Sequence, residues 1–259
     1  MTNTSSEPNP TKSRQENWAT PVSRLTVTGI PSGAVNLNVA GRHVTSPMTG
    51  FGQMWQKTYR IQFNGAQVTP QEVIRVWKEK FPSFWPKNNY FYGNSGPIRP
   101  GDVAVLNLAG PGGMTVPGGA PLISTGIMVI YADEESFSFL TPEGHMFAGL
   151  ITFSSYEENG ITMAQIQALV RGSDPLYEVV LRLGLGHKME DDFWKATLQN
   201  LCAYFEATGS PTLTRQCVDS RLQWSGAKNI WHNAGIRTTF YTLGMPFRWV
   251  GRKLGGRQT

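Results

Sequence analysis

Thiol and imidazole groups are both scarce in this chain, and each shortage closes off a class of chemistry. Two cysteines in 259 residues, Cys202 and Cys217, cannot build a disulfide framework or, with each other alone, a zinc site, so both are expected to be reduced and structural. The four histidines (His43, His145, His187 and His232) stand far apart, with no HxH or HxxxH spacing and no serine–histidine–aspartate pattern around them. No metal and no cofactor is therefore expected. A run of about 18 apolar residues is missing, and the opening MTNTSSEPNPTKSRQENW lacks the apolar core of a secretory signal, so the expected location is cytoplasmic. Acids nearly vanish from one region. Ser210 to Thr259 holds eight bases and a single acid, Asp219, so the net charge of +5 belongs to the tail and the remaining chain is mildly acidic.

What is present is an apolar content of 40%, enough for a real core. Residues 1–20 are rich in Ser, Thr, Asn and Pro and read as a disordered N-terminus. Residues 21–53, with short β-like pieces broken by Gly29, Pro31, Gly33 and Gly41, read as an N-terminal extension that wraps or forms an edge hairpin. Met54 to Phe63 alternates Trp55, Lys57, Tyr59, Ile61 and Phe63 on one side, a strand pattern with one basic interruption. A helix follows: Thr69 as N-cap, Pro70 at the first position and Glu72 three residues after the cap predict a capping box, Val73, Ile74, Val76, Trp77 and Phe81 give the apolar face, and Pro82 ends it. Asp102 to Leu108 reads as a further strand and Ala109 to Ala120 as a Gly/Pro loop.

The most patterned stretch runs from Leu122 to Gly172. The runs LISTGIMVIYADEE, SFSFLTPEGHMFAG, LITFSSYEENG and ITMAQIQALVRG alternate apolar and polar residues and break at turn residues, which predicts an antiparallel meander. Asp174-Pro175 then opens a short helix through Leu183, Gly184-Leu185-Gly186 interrupts it, and a long helix is predicted to start near Met189 to Asp192, whose acids suit a helix N-terminus. Trp194, Leu198, Leu201, Cys202 and Phe205 form one apolar face, ended by Gly209 and Pro211.

This order of elements, α+β with a sheet wrapping a final long helix, resembles the helix-grip fold of the START-like, or SRPBCC, superfamily, which includes birch-pollen-allergen-like proteins, polyketide cyclase/dehydratase-like proteins and lipid-transfer domains. The resemblance rests on TYRIQFNGAQVTPQEVIRVWKEKF, on GDVAVLNL, on the meander and on DPLYEVVLRLGLGHKMEDDFWKATLQNLCAYF, and covers roughly residues 54–208. Gly144-His145 also resembles a Gly-His step in uncharacterised members of the superfamily. The resemblance implies a cavity between sheet and long helix for a hydrophobic or amphipathic small molecule, and fold alone leaves carrier and enzyme both open.

Expected cavity residues are Trp77, Phe81, Trp85 and Tyr92, among the rings that crowd the first helices, Trp194 and Leu198 from the long helix, and His145, Gln165 and Gln167. The two glutamines share one face of the last strand; facing inward they demand ligand partners, facing outward they are ordinary solvated residues. His145 with Glu143 suits either an acid–base pair, as a cyclase-like enzyme would need, or a turn histidine bonded to backbone carbonyls. Gly110 to Gly119 lacks the Lys-Ser/Thr ending of a phosphate loop and reads as an inter-strand loop or a lid. Residues 209–259 form a basic, aromatic tail, expected to be helical, with Cys217, Trp224 and Trp231 at seven-residue intervals. Such a segment suits an anionic membrane surface or simply packs its rings on the body. Nucleic-acid binding is not expected, because no recognised motif accompanies the basic residues.

Overall fold

The computed structural model describes residues 16–29, 34–116 and 119–244. The disorder expected for residues 1–20 falls mostly outside them, as does the end of the tail with Arg248, Arg252, Lys253 and Arg257. Strand β1 (Met54–Gln62) is followed by helix α1 (Pro70–Lys80), then β2 (Tyr90–Tyr92), β3 (Val103–Leu108), β4 (Ile123–Ala132), β5 (Ser136–Leu140), β6 (Phe147–Glu158) and β7 (Ile161–Gly172). Two helices, α2 (Pro175–Arg182) and α3 (Leu185–Tyr204), precede a last strand, β8 (Thr212–Asp219), and helix α4 (Ala234–Leu243). One eight-stranded sheet has the order β2-β3-β4-β5-β6-β7-β1-β8, antiparallel at every pairing. Its concave face wraps α3, the helix-grip arrangement that the resemblance implies.

Period-two alternation decides the two faces of the sheet. On β1, Tyr59 and Ile61 pair with Ile166 and Ala164 of β7, and these four side chains point toward the helices and are buried. Rings then fill the space under α1: Trp77 meets Phe137 and Phe153 edge-on at centroid distances of 5.8 and 5.3 Å, and Phe81 meets Phe139 at 5.4 Å. On the convex face, Leu25 and Val39 of the N-terminal segment cover Val105 and Met128, and α4 lies against β4, where Ser124 N donates to Thr238 Oγ1 at 2.9 Å.

Local signals in the sequence act as expected at some helix ends and differently at others. Thr69 Oγ1 accepts from Glu72 N at 3.2 Å, but the Glu72 carboxylate bonds Arg75 instead of reaching back, so only half of the capping box forms. Asp174 caps α2 by accepting from Leu176 N and Tyr177 N at 2.9 and 3.1 Å. The long helix begins at Leu185 rather than near Met189, because Gly184 alone, at φ 78°, supplies the left-handed break. Gly186 lies inside the helix, where an added Cβ would sit 2.8 Å from Leu181 Cδ2, so its bareness serves packing against α2.

The tail departs most from expectation. Its first part is a strand, not a helix: β8 pairs with β1 from Arg60↔Thr212 to Met54↔Asp219 and covers what would be an open sheet edge. Asp219 accepts a charge-assisted bond from Arg171, a fully buried guanidinium that also donates to Gly52 O at 2.6 Å and Arg221 O at 3.0 Å. A 3-10 segment, Trp224–His232, and α4 supply the helical remainder. Among the described residues, no helix is long and apolar enough to cross a membrane.

Candidate functional site

Between the sheet and the N-terminal half of α3 lies a cavity of about 580 Å³. Leu106, Leu108 and Ile127 form its wall on one side of the sheet and Ile151 and Val170 on the other, while Trp85, Phe193 and Trp194 close it from the helices. Gly149 carries no side chain where a Cβ would meet Leu169 O and Val170 Cγ1, both at 2.6 Å. Lys87 and the Gly110–Gly113 loop border the cavity, and Gly112 and Gly113 take φ of 65° and 81°. The cavity is mostly apolar, with polar groups at a few points: Asn89, Thr141, His145, Glu190, and the Lys188–Asp192 pair on α3.

Of the residues expected to meet a ligand, Trp85, His145 and Trp194 are in the cavity wall. Trp77, Phe81 and Leu198 are fully buried and belong to the core instead; rings and aliphatic groups on all sides hold them there. Tyr92 pairs with Val105 on the convex face and packs with the Leu25–Val39 cluster. Gln165 and Gln167 also point outward, because Ala164, Ile166 and Ala168 take the inner face and burial of apolar groups decides the orientation. Arg60 Nε donates to Gln165 Oε1 at 2.6 Å, so that amide is satisfied without a ligand. Thr125, not Ser124, faces inward, opposite Leu106.

The proposed pairing of His145 with Glu143 is not formed. His145 is buried, Phe147 N donates to its Nδ1 at 3.0 Å, and burial pushes the imidazole down to about 4, so it is neutral near pH 7. Glu143 turns the other way, where its Oε2 accepts from His43 N at 3.2 Å. A turn histidine tied to backbone is what the geometry gives, with one edge in the cavity wall.

A charged constellation lies beside the cavity. Lys57, the basic interruption of β1, is on the inner face and fully buried; its Nζ donates to Glu190 Oε2 at 2.6 Å and Asp191 Oδ1 at 2.7 Å. Tyr59 O–H donates to the same Asp191 oxygen at 2.7 Å, and Arg215 of β8 approaches Asp191 Oδ2 at 3.7 Å. Burial pushes the Glu190 carboxyl up, with Lys57 opposing, and burial together with Glu190 and Asp191 raises the Tyr59 phenol far above its ordinary range. His187, edge-on to Trp55 at 5.0 Å, is pushed down to about 4 by burial and then by Lys57 and Arg215. The acids at 190 and 191 are thus a turn inside α3, held by Lys57, rather than a complement to its N-terminus. A lysine at an apolar position of an alternating strand was the available signal, since a buried cation requires carboxylates from elsewhere in the chain.

The chain matches no protein-family model and no curated protein. Solved structures similar to it include protein Ms6760 from Mycobacterium smegmatis, at 14% identity over 59% of this chain and 91% of that one, with a TM-score of 0.40. Major latex-like protein 151 from Panax ginseng is 13% identical over 60% of this chain and 99% of that one, with a TM-score of 0.38. The di-domain ARO/CYC StfQ from the steffimycin biosynthetic pathway is 9% identical over 59% of this chain and 51% of that one, with a TM-score of 0.43.

Proposed function

We propose that this protein binds a hydrophobic or amphipathic small molecule, a lipid or a compound with an aromatic body, in the cavity between the sheet and α3. The observation that carries the proposal is the cavity of about 580 Å³ with apolar walls, inside the roughly 300–1,000 Å³ range of small-molecule sites. Apolar burial supplies most of the affinity, and the few polar groups in the wall fix orientation. A cyclase-like enzyme using the same cavity has less support, because Glu143 turns away to His43 N and His145 Nδ1 is taken up by Phe147 N. The test is native mass spectrometry of the protein from its own cells, followed by denaturing extraction. The expected result is a stoichiometric apolar molecule; a protein that is both empty and unable to take up pyrene overturns the proposal.

A second reading, peripheral contact of the tail with an anionic membrane, is favoured by one observation. Trp224 and Trp231 are 74% and 80% exposed in a segment that also carries Arg221 and Lys228. Indole rings suit the bilayer interface and bases suit anionic headgroups. Sedimentation with phosphatidylserine vesicles is expected to show salt-sensitive binding that Trp224→Ala and Trp231→Ala weaken; binding indifferent to both substitutions counts against this reading.

A further inference from the structure

Glu190 combines three properties that separate it from the other polar groups around the cavity. Its side chain is only 5% exposed, it forms part of the cavity wall, and its two oxygens are used unequally. Oε2 accepts from Lys57 Nζ, whereas Oε1 accepts from no described residue and is not among the fully enclosed polar atoms without partners. Because Glu190 lines the cavity, a group bound there is the available donor for Oε1. Asp191, its neighbour, differs: Lys57 and Tyr59 hold Oδ1, and Arg215 lies near Oδ2.

From this we infer that Glu190 is the polar anchor of the cavity, and that the ligand is an apolar, flat or elongated molecule whose single hydroxyl or amine donates to Glu190 Oε1. The inference rests on the binding proposal above and adds the head-group chemistry to it. A buried carboxylate oxygen left unpaired is costly, so a donor that reaches it gains a charge-assisted bond that bulk water would otherwise supply. The same electrostatics rejects an anionic head at this point. Lys57 is a single cation already shared by two carboxylates, and Arg215 is the only further base near them among the described residues. His187, neutral and edge-on to Trp55, adds no positive charge. Lys188 also borders the cavity, but its charge is paired with Asp192. Lys87 borders the cavity without an ion pair among the described residues and is where an anionic head would go if the inference were wrong.

Three fluorescent probes with one body separate the possibilities: pyrene, hydroxypyrene and pyrenecarboxylate, titrated into the full chain. The expected order is hydroxypyrene tightest, by roughly tenfold or more over pyrene for a hydrogen bond to a charged group, with pyrenecarboxylate weakest. Glu190→Leu is expected to erase the advantage of hydroxypyrene while pyrene still binds; it keeps the Lys57–Asp191 pair, and thermal melting checks that it folds. Glu190→Gln, with an amide oxygen in place of the carboxylate, is expected to keep a reduced advantage. If pyrene binds the natural protein as tightly as hydroxypyrene, or pyrenecarboxylate binds tightest, the anchor is overturned and the cavity proposal stands. If no probe binds, both fall. A hydroxypyrene advantage that survives Glu190→Leu in a folded protein also overturns the anchor, because another group then carries it.

Discussion

Replacing Lys57 with methionine removes the one charge that holds two buried carboxylates beside the cavity. Methionine matches the length and volume of the lysine stem, so the change leaves no cavity and its cost is electrostatic. Lys57 Nζ lies 2.6 Å from Glu190 Oε2 and 2.7 Å from Asp191 Oδ1, and its side chain is fully enclosed. Coulomb attraction at these distances is several kcal/mol even at an effective dielectric constant of about 20, but most of it offsets desolvation that folding has already incurred. Taking away one partner therefore costs more than the pair contributes: about 3–5 kcal/mol. Arg215, at 3.7 Å from Asp191 Oδ2 and partly solvated, compensates only a little. Thermal melting should show Tm lowered by about 10 °C for a chain of this size. The loss should also depend on pH with a definite sign. Glu190, already raised by burial, loses the Lys57 that opposes the rise. A carboxyl with a folded pKa above its unfolded value stabilises at low pH and loses that contribution as pH rises. The difference between Lys57→Met and the natural protein should therefore shrink from about pH 7 to about pH 5, and adding Glu190→Gln should recover part of the loss. A destabilisation below about 1 kcal/mol, or one that grows on acidification, refutes the reasoning.

Acid should expose the buried His145 in a separate way. With a folded pKa of about 4 against about 6.5 unfolded, its share of stability is intact above about pH 6.5 and falls away as pH drops toward 4, by up to about 3 kcal/mol. His145→Asn, which keeps an acceptor near Phe147 N, should flatten denaturant-midpoint curves across that window, and curves that stay parallel to the natural protein would sink the assignment. Gly144 takes φ 86°, and a Cβ there would collide with the His232 carbonyl, so Gly144→Ala should cost about 1–3 kcal/mol. Hydrogen exchange should locate that loss in Ala234–Leu243, whose first amide donates to Gly144 O at 2.9 Å. Truncation after Gly209 strips β8 from β1 and Asp219 from Arg171, and light scattering should report aggregation through the bared edge; a monomeric, equally stable truncation would show β8 to be dispensable.

Elements with strong local signals were legible in the sequence, and those decided by distant partners were not. The alternation of β1, the Thr69-Pro70 start of α1, the Gly- and Asp-rich turns of the meander and the Asp174 cap each depend on residues within a few positions. β8 was hidden because it is an edge strand whose exposed residues, Thr214, Arg215 and Gln216 among them, leave only Leu213 and Cys217 to mark an inner side. The facing of Gln165 and Gln167 depended on which side of β7 meets α3, a choice that Ala164, Ile166 and Ala168 make through packing. For the site, the broad expectation of an apolar cavity against the long helix matches the architecture, and Trp85 and Trp194 are in its wall. Its charged part was missed because Lys57 and Glu190 are 133 residues apart in sequence and only the fold brings them together.

The most direct measurement is a fluorescence titration of pyrene into the natural protein and into Ile151→Trp, which plants a large ring from β6 into the cavity. Saturable binding of one pyrene, lost in an Ile151→Trp protein that melts like the natural one, is the result expected of a cavity that holds an apolar ligand. Pyrene binding equally well to both, or to neither, would contradict it.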